Sequence, residues 1–116
     1  IQERSQAVLC TGFPSRFDFS SETMTAFLEM ASSYAKVRML GAASLSLLKV
    51  ACGAADTYFE DQIMLWDVAA GLAIIQGAGG NFRIDIVSAT RPCRVMAANN
   101  ILLCSFDDSE YGLQPK

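Results

Sequence analysis

Apolar and polar positions divide the 116-residue chain into short apolar or alternating runs and longer runs with helical spacing. Ala7-Val8-Leu9-Cys10-Thr11 is a brief apolar run that stops at Gly12-Phe13-Pro14, which predicts a buried strand leading into a turn. From Ser20 the period changes. Met24, Phe27, Leu28, Ala31, Tyr34 and Ala35 recur at the spacing of an amphipathic helix with one wet face. Ser20 is suited to cap that helix, and Glu22 sits in the first turn, where the helix dipole favours negative charge. Val37 to Leu40 predicts a second short extended segment. Gly41 then opens a small-residue helix through Ala42, Ala43, Leu45, Leu48 and Cys52 to Gly53. Asp56 to Glu60 alternates and carries aromatics, the pattern of a strand, with Asp61-Gln62 as the connection onward.

The longest apolar stretch runs from Leu65 to Gly80 and contains one charge, Asp67. Small and aliphatic residues follow that carboxylate, and Gly79-Gly80 suits the left-handed turn after a helix, so a buried helix is expected. Asp67 is suited to cap it, and Trp66 is expected to fill space in the core beside the helix start. Asn81 to Ile86 alternates Phe82, Ile84 and Ile86 against Arg83 and Asp85, predicting a strand with one drier face. Val87 to Pro92 reads as a loop and Arg94 to Ala97 as a strand, after which Asn99-Asn100 turns the chain into Ile101-Leu102-Leu103-Cys104. The last dozen residues read as frayed. Strands alternate with helices, so the fold expected is α/β, with helices layered on a mostly parallel or mixed sheet.

Composition narrows this picture. Hydrophobic residues make up 52% and charged residues 18%, as in a densely buried α/β domain, and the length suits one domain, residues 1–116. Lys plus Arg number 9 against 12 for Asp plus Glu, so no basic face is implied and nucleic acid is not an expected partner. Cys10, Cys52, Cys93 and Cys104 are far apart and His is absent, which leaves too few ligands for zinc. Small buried thiols in a reducing, cytoplasmic setting are the expected reading, although the even count leaves disulfides open. No apolar run reaches the roughly eighteen residues of a membrane span, and no signal peptide is recognised.

Four segments carry a resemblance. Trp66-Asp67-Val68-Ala69-Ala70-Gly71, closed by Gly79-Gly80, is similar to the second signature of the inositol monophosphatase family of metal-dependent, lithium-sensitive phosphatases. Upstream, Arg38-Met39-Leu40-Gly41-Ala42-Ala43 resembles that family's Arg-x-x-Gly-Ser/Thr-Ala-Ala, and Gly53-Ala54-Ala55-Asp56-Thr57-Tyr58-Phe59-Glu60 its Gly-x-x-Asp-x-Tyr-x-Glu. Downstream, Arg94-Val95-Met96-Ala97-Ala98-Asn99 resembles a strand near the family's C-terminus. The likeness runs from about residue 7 to residue 104, in order and in spacing. The family's first signature, Asp-Pro-Ile/Leu-Asp-Gly-Thr, is not in this sequence.

The resemblance implies the C-terminal α/β/α layer of a larger two-domain phosphatase, with the N-terminal metal-binding half as a missing partner and a homodimer as the expected assembly. It implies that Asp67 joins N-terminal carboxylates around Mg2+ and lies near a substrate hydroxyl. Glu60 would hydrogen-bond a hydroxyl of a small phosphorylated polyol or sugar, and Gly41, Ala42 and Ala43 would line the same pocket. Ala42 stands where Ser or Thr is usual, and Met64 where many members carry Lys or His. From the residues alone, Asp67 reads first as a helix cap, Glu60 as a surface carboxylate at a strand end, and Gly41-Ala42-Ala43 first as close helix packing. A second class of function stays open: a non-catalytic α/β module, degenerate or dependent on a partner.

Overall fold

The computed structural model describes residues 2–12, 20–86, 88 and 90–104. Strands β1 (Val8–Cys10), β2 (Lys36–Arg38), β3 (Thr57–Ile63), β4 (Asn81–Asp85) and β5 (Cys93–Ala98) form one five-stranded sheet in the order β2-β1-β3-β5-β4. Helices α1 (Ser21–Ser32), α2 (Ala43–Ala51), α3 (Leu65–Gly77) and the short α4 (Asn100–Cys104) complete the fold. β1 runs parallel to β2 and β3, whereas β5 is antiparallel to both β3 and β4. The sheet is therefore mixed, as expected.

The central strands are apolar on both faces because both faces are covered, and successive side chains alternate between two cores. Leu9, Phe59 and Met96 point to one side, where Met30 and Tyr34 from the α1 region and Leu102 from α4 meet them. Cys10, Tyr58 and Val95 point to the other, against Leu47 of α2 and Val68, Leu72 and Ile75 of α3. At the base of the sheet the Asp56 carboxylate accepts the Val8 N–H at 2.8 Å, so this member of the Gly-x-x-Asp segment ties β1 to β3.

α3 buries Val68, Gly71, Leu72 and Ile75, one stripe at three-and-four spacing. The opposite side is open: Ile74 is 47% exposed and Trp66 68% exposed. Trp66 is therefore not a core anchor, and α3 is buried on one stripe rather than all round. Apolar residues on every side hide which stripe meets the sheet, because periodicity then carries no phase. The same difficulty affects α2. It buries Ala43, Ser46 and Leu47, while Leu45 and Leu48 are exposed. In α1, Met30 is buried and Leu28 exposed, the reverse of the expected phase at those two positions.

Cys10 and Cys93 are buried free thiols, whereas Cys52, expected inside, is exposed at the end of α2. Burial pushes both buried thiols above their ordinary range, which keeps them protonated and unreactive. The side chain of Cys104, the Phe13-Pro14 turn, positions 87 and 89 of the expected loop and residues 105–116 lie outside the described residues. Met39 and Leu40, read as strand, lie beyond β2, and the segment from Ile101 to Cys104 is helical.

β3 extends past its expected end through a bulge. Glu60 pairs with Val95 but Ile63 pairs with Cys93, so Asp61 and Gln62 together face Arg94. Gln62 has φ 55, in the left-handed region. Asp61-Gln62, read as a connection, is thus part of the strand.

α2 and α3 touch where Gly71 lacks a side chain. A Cβ there would stand 2.5 Å from Leu47 Cδ1 and 2.8 Å from Leu47 Cβ, whereas one on Gly77 would meet nothing within 4 Å. Gly71→Ala is expected to destabilise the chain by about 1–3 kcal/mol through overpacking. Gly77→Ala should be neutral or stabilising by up to about 1 kcal/mol, because it removes backbone freedom from the unfolded chain. Urea unfolding of the two variants checks the contrast, and equal effects would disprove the close contact.

Candidate functional site

The carboxyl ends of the parallel strands β1 and β3 lie on one edge of the sheet, where α/β folds commonly bind ligands. Thr11, just past β1, donates its hydroxyl to the Phe59 carbonyl and holds the two strand ends together. Gly12 follows. A Cβ at this position would lie 3.1 Å from Glu60 Oε1, so the glycine makes room for the carboxylate. Glu60 is 9% exposed and is no surface residue at a strand end. Burial pushes its carboxyl above the ordinary range, and the nearby charge of Asp67 pushes in the same direction, while the Tyr58 hydroxyl opposes them.

Tyr58 stands on the same face of β3, two residues before Glu60. Its hydroxyl is buried and makes no hydrogen bond of good geometry among the described residues, although it is close enough to Glu60 for each to affect the other's titration. Burial, then the charge of Glu60, hold the phenol protonated. It is a donor left without a well-aligned acceptor inside the core.

α3 begins with Met64 at its N-cap, and Asp67 is the third helical residue, its N–H donating to Met64 O at 3.0 Å. Asp67 does not cap the helix. Its carboxylate is exposed and has no hydrogen-bond or ion-pair partner among the described residues. α2 starts in the same manner. Gly41 takes φ 83, Ala42 is the N-cap without a side-chain hydrogen bond, and Ala43 is buried in the cluster that holds Tyr58 and Val68. Ala42 and Gly41 themselves are exposed. Both helices thus begin with apolar residues at a position where Ser, Thr or Asp would contribute about 1 kcal/mol, and their first N–H groups are left for water or an anion.

The structure therefore brings Glu60 and Asp67 together electrostatically, with Tyr58 beside them. Tyr58 is the member that sequence reading passed over. Its place two residues before Glu60 on an alternating strand was the available signal. Among the described residues no group of three or more Asp, Glu, Cys or His side chains could hold a metal ion.

A buried carboxylate beside the β3 bulge, an unpaired one in the first turn of the next helix, and two helix starts free of side-chain caps gather at one edge of an α/β domain. Residues 2–105 match the family model for the inositol monophosphatase family, and the chain belongs to that family. It is 42% identical over 72 residues to a Nus factor SuhB of Xylella fastidiosa, covering 54% of this chain and 26% of that protein. It is 41% identical over 76 residues to the chloroplastic phosphatase IMPL1 of Arabidopsis thaliana, covering 65% of this chain and 20% of that protein. The inositol monophosphatase structure from Anabaena superposes with a TM-score of 0.80 at 28% identity, over 99% of this chain and 47% of that one. The chain thus spans about a quarter of the length of these curated relatives.

A carboxyl whose pKa is higher folded than unfolded binds its proton more tightly in the folded state. Ionising Glu60 therefore costs stability. That cost is absent below the ordinary value of 4.5, grows as pH rises toward the raised value, and is complete above it. Glu60→Gln should melt at a higher temperature than wild type at pH 7. The gap should shrink on acidification and vanish below about pH 4.5. A gap independent of pH would show that the carboxylate carries no burial cost.

Proposed function

We propose that the chain is the substrate-side C-terminal half of a magnesium-dependent phosphatase hydrolysing phosphate monoesters of inositol or a similar polyol or sugar. The observation that carries the reading is Asp67: an exposed, unpaired carboxylate in the first turn of α3, coupled to the buried Glu60, in a chain of the inositol monophosphatase family. Asp67 is a hard oxygen donor of the kind Mg2+ takes, and one carboxylate is one ligand of such a site. When bound, the ion would neutralise phosphoryl charge and lower the pKa of an attacking water.

In this reading Asp67 contributes its carboxylate to the metal site and to a neighbouring substrate hydroxyl. The remaining metal ligands belong to an N-terminal half. Glu60 accepts a hydrogen bond from a hydroxyl of the polyol, with the buried, protonated Tyr58 behind it. Gly41, Ala42 and Ala43 line the pocket with backbone N–H groups. The absent hydroxyl at Ala42 leaves those groups open to an oxyanion. The working enzyme is proposed to be cytoplasmic and homodimeric.

A second reading is favoured by one observation. Leu45 and Leu48 of α2 and Trp66 and Ile74 of α3 expose large apolar side chains. Such a surface serves a module that acts by binding, and one relative at 42% identity carries the name of a Nus factor. No helix among the described residues is long and apolar enough to cross a membrane.

Asp67→Asn in the intact enzyme tests the metal role of Asp67, because Asn keeps the size and removes the charge. Turnover is expected to fall by at least about a hundredfold with the melting temperature nearly unchanged, and the 116-residue chain alone should show no magnesium-dependent hydrolysis. Turnover within a few-fold of wild type would remove Asp67 from the metal site. Chelator-sensitive hydrolysis by the 116-residue chain alone would remove the need for a second half.

A further inference from the structure

We propose that Asp61 and Arg94 are positioning residues that set the phase in which the chain leaves β3, so that α3 carries Asp67 to the Glu60 side of the sheet. The claim rests on the proposed role of Asp67 for its catalytic meaning, but its structural content stands apart from it.

Along a regular strand Tyr58, Glu60 and residue 62 would share one face, and Ile63 would fall on the face of Phe59. A one-residue slip transfers every later side chain to the other face. The bulge supplies that slip. Ile63 pairs with Cys93, one residue out of the register that joins Glu60 to Val95, and packs in the cluster of Tyr58 and Val68, as does Leu65 at the start of α3. Without the extra residue, the short Met64 connection would launch α3 toward the α1 face, away from Glu60.

The bulge needs support, because Gln62 sits at φ 55 and its N–H has left the strand ladder. Asp61 supplies it. One oxygen, Oδ1, accepts the Gln62 N–H at 2.9 Å and the Arg94 Nε–H at 2.8 Å. Arg94 is the residue opposite the bulge, and it aims that carboxylate. On the far side of the bulge the Cys93 thiol donates to the Ile63 carbonyl at 3.1 Å. The Asp61 and Arg94 side chains are 32% and 39% exposed, so their attraction adds little to stability as a surface pair. Their value lies in direction.

Arg94 also stands in register with Asp85 of β4, so Asp61→Ala is the primary variant and Arg94→Met the second. In 1H–15N spectra of the chain, both are expected to shift the amides of Leu65, Trp66 and Asp67 while leaving Gly77 and Ala78, at the other end of α3, in place. Arg94→Lys, the milder change should Arg94→Met fail to fold, should shift the same amides by less. The exchange of Asp61→Arg with Arg94→Asp should not restore the spectrum, because residue 61 then has no acceptor for the Gln62 N–H. Shifts confined to residues 60–63 and 93–95, or full restoration by the exchange, would overturn the proposal. In the intact enzyme, Asp61→Ala should raise the half-saturating Mg2+ concentration about tenfold, as loss of a residue that orients a ligand does. Wild-type enzyme without magnesium-dependent hydrolysis would remove the phosphatase reading and leave the amide shifts to decide the positioning role.

Discussion

Much in the fold depends on the approach of Leu47 to Gly71, where α2 meets α3 with no side chain on the α3 side of the contact. With no Cβ on Gly71, the Leu47 side chain lies directly on the α3 backbone. Dispersion energy falls steeply with separation, so a contact this close stabilises more than a looser one of equal area. The geometric effect is larger still. α2 and α3 are held side by side over the same face of the sheet, and each begins just after a loop at the edge where β1 and β3 end. Moving α3 away by the width of a methyl group would displace Asp67 relative to Glu60.

Glu60 shows how such a site is maintained against its own cost. Its carboxylate is buried beside another negative charge, and the nearest relief is a tyrosine hydroxyl without good hydrogen-bond geometry. A protein selected only for stability would place an apolar side chain there. Perturbed, imperfectly satisfied groups gathered in one place are the pattern on which the proposed site rests. The bare N-caps at Ala42 and Met64 repeat the theme, since each helix forgoes local stabilisation at the same edge.

How much of this was legible in the residues varies by element. β1 and β5 follow from short apolar runs between turn signals and β4 from alternation, while α1 is legible in its spacing although not in the phase of Leu28 and Met30. α3 was placed correctly along the chain, yet its buried stripe was not readable: Trp66 and Ile74 are as apolar as Val68 and Ile75, and only the sheet decides which are covered. In α2, Ser46 is buried and Leu45 is not, because Ser46 lies against the Cys10 thiol. Glu60 and Asp67 were found through resemblance and Tyr58 was readable from its i, i+2 place before Glu60, whereas the bulge depends on register between distant strands, which local patterns do not encode. Asp61-Gln62 read as a connection because polar residues usually mark one. Here they are polar because the strand bends there.

The strand order carries a consequence for how the chain reaches this state. β3 and β4 are joined through α3, yet they are not neighbours, since β5 lies between them and hydrogen-bonds to both. Among the described residues, the strand that comes last in the chain is therefore the one that joins β3 to β4. Until Cys93–Ala98 arrives, β3 keeps an open edge able to template pairing with a second molecule, and β4 lacks the strand it pairs with. On the ribosome that interval lasts until the C-terminal end of β5 has cleared the exit tunnel. A nascent chain stalled inside it would be a sticky one.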